Sequence, residues 1–264
     1  MTAKLVLITG ASSGIGEALA KRYGRTGAHV LLLARNAARL AAVADAVRES
    51  GGTATAFSID LADAKAIEDT SATIAREIGI PDVLINNAGA GRWLPLLKTT
   101  AKEALGMIEV PYLAAFNLTR AFLPYMLARG SGAIACVTSP GSYVVWPNAN
   151  AYIAARHALK GFTDALRSEV GGTRVTVTLA VLGPVETPYW EHNPGSRQYL
   201  PRANPRLAPT LTAAEAAEAI FAGVERRKRT VVKPTIMRVL FLLNAVAPNL
   251  VTRHLRRSIR KRPV

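Results

Sequence analysis

A chain of 264 residues that is 50% hydrophobic and 19% charged can bury a substantial core, which excludes an intrinsically disordered protein. Its one cysteine, Cys136, excludes a disulfide framework and a multi-cysteine zinc site, and its apolar neighbours favour a buried residue over a nucleophile. The net charge of +15 does not indicate nucleic-acid binding, because residues 225–264 hold 12 lysines and arginines against one acidic residue. We therefore predict neither a metal site nor a nucleic-acid partner.

The first element is an unbroken apolar run, Leu5–Ile8, typical of a strand buried on both faces of a parallel sheet. A glycine-rich turn follows, and helical periodicity begins at Glu17. This order leaves free backbone N–H groups at the positive end of a helix, where a pyrophosphate binds. A purely structural turn is the alternative. The predicted nucleotide contacts are Gly10, Ser12, Ser13, Gly14, Ile15 and Gly16.

Strands and helices then alternate along the chain. Further strands are predicted at Ala28–Ala34, Thr53–Ile59, Val83–Ile85, Ala133–Thr138 and Thr230–Lys233. Helices are predicted from about Ala37, Asp63, Asn150 and Thr212. Successive βαβ units predict an α/β fold whose parallel sheet has helices on both faces. We interpret residues 1–233 as one dinucleotide-binding domain and residues 234–264 as a basic C-terminal extension.

Arg35 directly follows the predicted second strand, a position that lies beside the adenosine ribose in a dinucleotide-binding fold. An acidic residue there would bind the 2′-hydroxyl of NAD, whereas arginine suits the 2′-phosphate of NADP. No acidic residue occurs between Leu31 and Asp45. The pattern favours NADP(H) as cofactor, and the alternative is a solvated arginine at the start of a helix.

The segments Thr9–Gly16 and Asn86–Gly89, with Ser139 and Tyr152 thirteen residues apart, resemble the short-chain dehydrogenase/reductase family over about residues 4–233. The resemblance implies a Rossmann-type, doubly wound sheet of seven parallel strands. It also implies hydride transfer between a nicotinamide and a carbonyl or secondary alcohol. The further cofactor contacts that it implies are Asp60, Leu61, Asn87, Ala88, Gly89, Gly183, Val185 and Thr187.

Three residues are candidates for the chemistry. Reduction of a carbonyl needs a proton donor, and Tyr152 is the natural one. A phenol has an ordinary pKa of about 10, so it needs a nearby cation to work near neutral pH. Arg156 lies one helical turn further on and carries that charge; it also would contact the nicotinamide ribose. Ser139 ends a strand at the ligand-binding edge, where its hydroxyl can orient the carbonyl oxygen.

Two positions depart from the family pattern. Arg156 stands where the family has lysine, and arginine keeps the charge without giving up a proton. Pro111 stands where the family usually has an asparagine whose carbonyl anchors a relay water, and proline is expected to distort the helix. These departures leave two hypotheses. One is a working NADP(H)-dependent reductase with Tyr152 as acid; the other is an NADP(H)-binding sensor or partner subunit with little or no turnover.

Aromatic residues near the predicted site favour a lipophilic ketone, aldehyde or alcohol as substrate. They are Trp93, Tyr143, Trp146, Tyr189 and Trp190. The irregular stretch at about 188–210 is long for a compact domain and is interpreted as a lid. Packing of these aromatics beneath the lid is the alternative. The family resemblance further implies a homodimer or homotetramer, formed through the helices that contain residues 115–128 and 152–169.

The apolar run 236–247 is too short to span a membrane, and basic residues follow it. The basic residues are Arg253, Arg256, Arg257, Arg260, Lys261 and Arg262. An interfacial anchor on anionic lipid fits this pattern. A helix docked on its own domain or on a second subunit fits it equally well. Because a strand begins within five residues of the N-terminus, we expect no signal peptide and a cytoplasmic protein. If the C-terminal segment is a lipid anchor, we expect the protein to be peripheral on the inner face of the membrane.

Overall fold

The computed structural model describes residues 3–89, 91–200 and 209–257. Within these residues seven parallel strands form one sheet in the order β3-β2-β1-β4-β5-β6-β9. The strands are β1 (Leu5–Thr9), β2 (His29–Ala34), β3 (Thr53–Ser58), β4 (Val83–Asn86), β5 (Gly132–Thr138), β6 (Val175–Leu182) and β9 (Thr230–Lys233). A separate parallel pair joins β7 (Val185–Glu186) to β8 (Leu211–Thr212). The Rossmann-type sheet implied by the family resemblance is confirmed.

Helices cover both faces of the sheet. They are α1 (Gly14–Gly24), α2 (Ala37–Glu49), α3 (Ala64–Glu77), α4 (Ala101–Ile108), α5 (Ala114–Arg129), α6 (Asn150–Glu169), α7 (Tyr189–His192), α8 (Ala213–Glu225), α9 (Met237–Val246) and α10 (Pro248–Arg257). Val6 and Ile8 face the core under α1, α2 and α8, whereas Leu5 and Leu7 face the core under α3, α5 and α6. This alternation explains why β1 is apolar from Leu5 to Ile8.

The helix starts follow local capping chemistry. The carboxylate of Asp63 accepts hydrogen bonds from the backbone N–H groups of Lys65 and Ala66, at 2.9 and 3.1 Å, and α3 begins there. Thr212 and Glu215 form the capping box that opens α8. These side-chain oxygens accept hydrogen bonds from the N–H groups at the helix start, which have no acceptor within the helix.

The sheet order positions a binding site. β1 pairs with β2 on one side and β4 on the other, so the chain winds outward in both directions from this point. Ligands of open α/β sheets bind outside the carboxyl ends of the strands where the winding reverses. The glycine-rich turn after β1, the 86–89 segment after β4 and Ser139 after β5 all lie at this edge.

A distorted helical turn separates α4 from α5. Glu109–Leu113 form a π-helical turn, and buried Pro111 lies within it. Proline lacks the N–H that would donate to the preceding turn, so a local widening accommodates it. Tyr112 of this turn packs on Phe162 of α6, with ring centroids 6.0 Å apart. The turn therefore contacts the helix that carries Tyr152.

The C-terminal helices α9 and α10 lie against the 143–146 loop. Phe241 stacks on Tyr143 with ring centroids 4.4 Å apart, and Val251 and Leu255 cover the fully buried Val144. Docking on the chain's own domain was one of the open alternatives for this segment. The predicted basic residues 260–262 lie outside the described part of the chain. No helix in the described part is both long and apolar enough to cross a membrane.

Candidate active site

The glycine-rich turn forms a cradle at the start of α1. Gly10 and Gly14 have φ angles of +64° and +58°, in the left-handed region that favours glycine. Ser13 precedes the helix and its side chain makes no capping hydrogen bond, so the first-turn N–H groups have no side-chain cap. A Cβ on Gly14 would lie 2.9 Å from Cγ2 of Thr187. The structure thus brings the predicted contacts Gly14 and Thr187 together.

Thr9 joins this turn to the segment after β4. Its Oγ1 accepts hydrogen bonds from the N–H groups of Asn87 and Ala88, both at 2.9 Å. The Asn87 Nδ2 donates to the carbonyl of Thr9, also at 2.9 Å. Three hydrogen bonds therefore hold the two loops in register, and they place Asn87 and Ala88 beside Gly10.

A Gly16→Ala substitution is expected to destabilise the fold by more than about 2 kcal/mol. A Cβ there would overlap the carbonyl of Gly10 and approach Asn87 Nδ2 to 2.9 Å, and the backbone cannot move aside cheaply. Gly106→Ala in α4 is the matched control, because a Cβ there meets nothing within 4 Å. We expect the free energy of unfolding of that control to rise by about 0.5–1 kcal/mol. Urea unfolding of both variants measures the difference, and equal stabilities would contradict it.

A cavity of about 380 Å³ opens beside the turn. Its lining includes Ser12, Ser13 and Arg39, which is one turn into α2. The sequence prediction missed Arg39, although its spacing of four residues from Arg35 and its place just after β2 were visible. Arg35 itself is exposed at the end of β2. The cavity lining thus offers the Ser12 and Ser13 hydroxyls and the Arg39 guanidinium, beside a Lys21–Glu17 ion pair, and these donors suit phosphate groups; Arg35 is not part of the lining.

The other predicted cofactor contacts occupy three places. Asp60 is exposed after β3, where its carboxylate accepts from the N–H of Ala62 at 3.0 Å, and Leu61 is buried in the core. Val185 lies in β7 and packs on the core under α1. Gly183 donates its N–H to the carbonyl of Lys233 at 2.7 Å. The structure brings none of these four into contact with the 380 Å³ cavity.

Ser139 and Tyr152 converge across Gly141. A Cβ on Gly141 would lie 3.1 Å from the Ser139 hydroxyl oxygen and 3.4 Å from Cε1 of Tyr152. Ser139 Oγ accepts the N–H of Gly141 at 3.2 Å, which fixes the side chain and leaves its O–H to donate elsewhere. Tyr152, in the first turn of α6, is only 8% exposed. Both hydroxyl-bearing side chains thus reach one small region at the edge of the sheet.

Arg156 is buried beside Tyr152. Its guanidinium carbon lies 4.8 Å from the centre of the Tyr152 ring, a cation–π distance. A Cβ on Gly89 would lie 2.8 Å from Nη2 of Arg156, so the guanidinium packs directly on the Gly89 backbone. The side chain is 6% exposed and its Nε has no hydrogen-bond partner among the described residues. The structure thus brings together the predicted Ser139, Tyr152, Arg156 and Gly89.

Residues 4–197 match the family profile described as short chain dehydrogenase. The chain belongs to that family. A fatty acyl-CoA reductase of Acinetobacter baylyi is 33% identical over 255 residues, covering 94% of this chain and 81% of that protein. A fatty acyl-CoA reductase of Mycobacterium tuberculosis is 33% identical over 251 residues, covering 94% and 82%. A short-chain dehydrogenase from Sphingobium yanoikuyae, solved with NADPH, superposes with a TM-score of 0.80 at 25% identity over 94% of each chain.

This short-chain dehydrogenase has a second buried phenol beside the first. The Tyr189 hydroxyl, on α7, donates to the carbonyl oxygen of Gly91. Burial and the charge that Tyr152 would carry raise the pKa of Tyr189, and the Arg156 guanidinium partly counteracts them. Tyr189 therefore stays protonated near neutral pH. The sequence suggested only substrate lining for Tyr189, because its contact with Gly91 spans 98 positions.

The described part of the lid closes over Tyr152. Trp93 packs on Tyr152 and Trp146, with ring centroids 5.5 and 6.4 Å apart. The backbone N–H of Trp93 donates to the buried Ser196 Oγ at 3.1 Å. We call the surrounding apolar residues the Tyr152 cage. They are Trp93, Leu94, Met107, Ile108, Trp146, Ala149, Ala151, Tyr152, Ile153, Ala155, Tyr189, Tyr199 and Leu200. Residues 201–208 of the predicted lid lie outside the described part of the chain.

Two of the five aromatic residues predicted to meet substrate lie apart from this cage. Tyr143 stacks on Phe241 of α9, and Lys160 lies 4.9 Å from its ring centre. Trp190 contacts the edge of Tyr189, with ring centroids 5.0 Å apart, and is not a member of the cage. The structure therefore gathers Trp93, Trp146 and Tyr189 around Tyr152 but not Tyr143 or Trp190.

Cys136 is fully buried in β5, and this burial raises the pKa of its thiol. The neutral thiol is a poor nucleophile, as the apolar sequence context indicates. Among the described residues, no group of three or more histidine, cysteine, aspartate or glutamate side chains could hold a metal ion.

Proposed function

We propose that this short-chain dehydrogenase uses NADP(H) to interconvert a lipophilic aldehyde or ketone and its alcohol, with Tyr152 as acid and base. One observation carries the proposal. The Ser139 hydroxyl and the Arg156 guanidinium lie close to the ring of Tyr152, which belongs to an apolar cage, and a cavity at the glycine-rich turn is lined by Ser12, Ser13 and Arg39. The convergence of a donor, an acid and a cation in a dry site is what carbonyl reduction requires.

The donor set at the cofactor cavity supports a dinucleotide phosphate. Ser12, Ser13 and the first-turn amides of α1 would hold the pyrophosphate. Arg35 and Arg39 would hold the 2′-phosphate, since both follow β2 and neither forms an ion pair among the described residues. Positive charge at this position favours NADP(H) over NAD(H).

The bound nicotinamide would supply a hydride to the carbonyl carbon. As the C=O π bond opens, Tyr152 donates its proton to the carbonyl oxygen, which forms the alcohol O–H bond. Ser139 donates a hydrogen bond to the same oxygen and fixes its direction. Arg156 stabilises the phenolate that remains until a solvent proton replaces the one transferred. In the oxidative direction each of these residues performs the reverse step.

The Tyr152 cage supports a long apolar substrate. Its side chains are aromatic and aliphatic, and Trp93 and Tyr199 are only 9% and 5% exposed. An apolar substrate that enters the cage would therefore contact side chains that are shielded from water. The two relatives that act as fatty acyl-CoA reductases support an acyl chain attached to the reacting carbonyl. We therefore propose a long-chain aldehyde or ketone as the substrate class.

Hydride tracing tests this function without a guess about the substrate. The full chain is incubated with a lipid extract and NADPH deuterated on either face of the nicotinamide C4, and NADPH binding is measured in the same sample. Deuterium in one lipophilic alcohol by mass spectrometry would support the reductase and identify its substrate. Bound NADPH without any labelled product would contradict it.

Bound NADPH without any labelled product would favour the alternative, an NADP(H)-binding protein with little turnover that acts as a sensor or partner subunit. One observation favours that alternative. Arg156 replaces a side chain able to exchange a proton, and the π-helical turn at Pro111 alters the helix facing α6. Both changes would alter proton supply, whereas the positive charge expected beside the nicotinamide ribose is kept.

Substituting Arg35 and Arg39 by aspartate is expected to weaken NADPH binding by at least about tenfold per residue, because each loses a charge-assisted contact and adds repulsion. NADH binding should weaken far less, so that selectivity relaxes. Arg48→Asp, at the far end of α2, is the control, since Arg48 pairs with Asp45 at 2.5 Å instead. Fluorescence titration with both cofactors measures the change. Unchanged selectivity would rule out the 2′-phosphate role.

We further propose that the protein is a homodimer or homotetramer formed through α5 and α6. Phe116 and Leu127 of α5 are each 40% exposed, and their spacing of eleven residues places them on one face of the helix, which pairing would bury. Analytical ultracentrifugation of the Leu127→Asp variant would test this, and an unchanged oligomeric state would contradict it.

A further inference from the structure

The outer face of α9 is apolar and exposed. Exposed apolar residues recur at helical spacing on one side of it, from Ile236 directly before the helix to Val239, Leu242, Leu243 and Val246. We call them the α9 stripe. Leu242 and Val246 are 65% and 78% exposed. Residues spaced by three and four positions share a helix face, so the stripe is continuous.

The opposite face of this helical segment is already occupied. Phe241 stacks on Tyr143, and Asn244 Nδ2 donates to the Tyr143 carbonyl at 3.0 Å. In α10, Val251 and Leu255 are buried against Val144. Turning the helices over to bury the α9 stripe would break these contacts. Among the described residues, the contacts present therefore leave the α9 stripe uncovered.

Positive charge borders the α9 stripe. Arg238 lies on α9 at the edge of the stripe, and Arg253, Arg256 and Arg257 are exposed on α10. Residues 226–264 include no acidic residue, and none of these four arginines pairs with a carboxylate in the described part of the chain. Next to α9, a cavity of about 610 Å³ is lined by Lys228, Arg229, Thr230, Val232, Arg238, Tyr143 and Phe241.

This charge pattern argues against a second copy of the chain on the α9 stripe. A two-fold dimer places the same patch on both subunits, so each set of arginines would face the other with no acid between them. The stripe is also aliphatic, whereas the residues that dominate protein interfaces are tryptophan, tyrosine and arginine in buried pockets. An anionic surface with an apolar interior satisfies both features.

We propose that the α9 stripe docks on an anionic lipid bilayer, with the arginines around it and the 610 Å³ cavity holding headgroup phosphates. The ten residues of α9 extend about 15 Å, which suits a helix lying in the interface plane rather than across the membrane. Docking would also orient the candidate active site relative to the bilayer. Tyr143 and Val144 lie under these helices, and Trp146 of the same loop contacts the Tyr152 cage.

Vesicle flotation with the full chain tests the proposal. We expect binding to phosphatidylcholine vesicles containing a quarter phosphatidylglycerol, weaker binding at high salt, and none to phosphatidylcholine alone. The Leu242→Asp/Val246→Asp variant should bind at least about tenfold more weakly. The Leu97→Asp/Leu105→Asp control changes two exposed leucines elsewhere, 83% and 56% exposed, and should bind like the wild type.

An independent variant keeps the proposal testable if the aspartates disturb folding. Arg253→Gln/Arg256→Gln leaves the stripe intact and should weaken binding by about fivefold per charge. No binding of the wild type to anionic vesicles would overturn the proposal, as would equal loss in the control variant. If Leu242→Asp/Val246→Asp instead converts a lipid-free oligomer to monomers in the ultracentrifuge, the stripe is a subunit interface and the proposal fails.

Discussion

Replacing Tyr152 by phenylalanine is expected to lower the turnover number by about 10²- to 10⁴-fold, the contribution of a positioned general acid. The ring would remain, and with it the packing on Trp93 and the cation–π contact with Arg156. NADPH affinity and the thermal midpoint should therefore stay close to those of the wild type. Single-turnover kinetics with the substrate found by hydride tracing, together with an NADPH titration, separate chemistry from binding.

Tyr189→Phe is the matched control for this prediction, because it removes a second buried phenol hydroxyl from the same cage. That hydroxyl donates to the Gly91 carbonyl and stays protonated, so its loss should cost no more than about tenfold in turnover. A Tyr152→Phe enzyme that retains more than a tenth of wild-type turnover would refute the acid role. A larger loss from Tyr189→Phe than from Tyr152→Phe would transfer that role to Tyr189.

The parts of the fold that the sequence predicted are those specified by neighbours in the chain. The first four residues of β1 are apolar because both faces of the strand are covered, and the run Leu5–Ile8 therefore indicated a central strand. The helix starts at Asp63 and Thr212 depend on side-chain to backbone contacts two or three residues away. Such signals are readable without tertiary structure.

The features that the sequence did not predict depend on contacts between distant segments. Tyr189 reaches Gly91, and Ser196 reaches Trp93, only because the lid folds back over the loop after β4. Tyr143 follows Ser139 closely in the chain, yet it faces Phe241 of α9. Sequence proximity to a catalytic residue does not determine which way a loop side chain points, since tertiary packing decides it.

Arg156 illustrates both the reach of sequence reasoning and its limit. Its position four residues after Tyr152 indicated a shared helix face, and the guanidinium does lie 4.8 Å from the Tyr152 ring centre. The sequence did not reveal that the guanidinium packs on Gly89, where any Cβ would clash with it, or that it lies near Tyr189. A planar, buried side chain with three neighbours is adapted to its site and is not an isolated exchange for lysine.

Arg156→Met is expected to lower turnover by about 10²-fold or more, because it removes the guanidinium charge next to the Tyr152 ring while keeping an unbranched side chain. Arg156→Lys keeps the charge but cannot cover Gly89 and both phenols at once, so we expect about a tenfold loss. The turnover numbers of the wild type and both variants, determined at the same pH, measure these effects.

Whether Arg156→Lys raises or lowers turnover decides between the two functional hypotheses. If arginine is part of a rearranged proton supply, restoring lysine leaves the guanidinium-shaped site next to Gly89 poorly filled, and turnover falls. If arginine instead marks a site that has lost its proton exchange, Arg156→Lys should raise turnover at least tenfold, because a lysine ammonium can release and regain a proton. A rise of that size would overturn the reductase proposal in favour of an NADP(H)-binding protein with little turnover. Wild-type turnover in Arg156→Met would refute the role of the guanidinium in stabilising the Tyr152 phenolate.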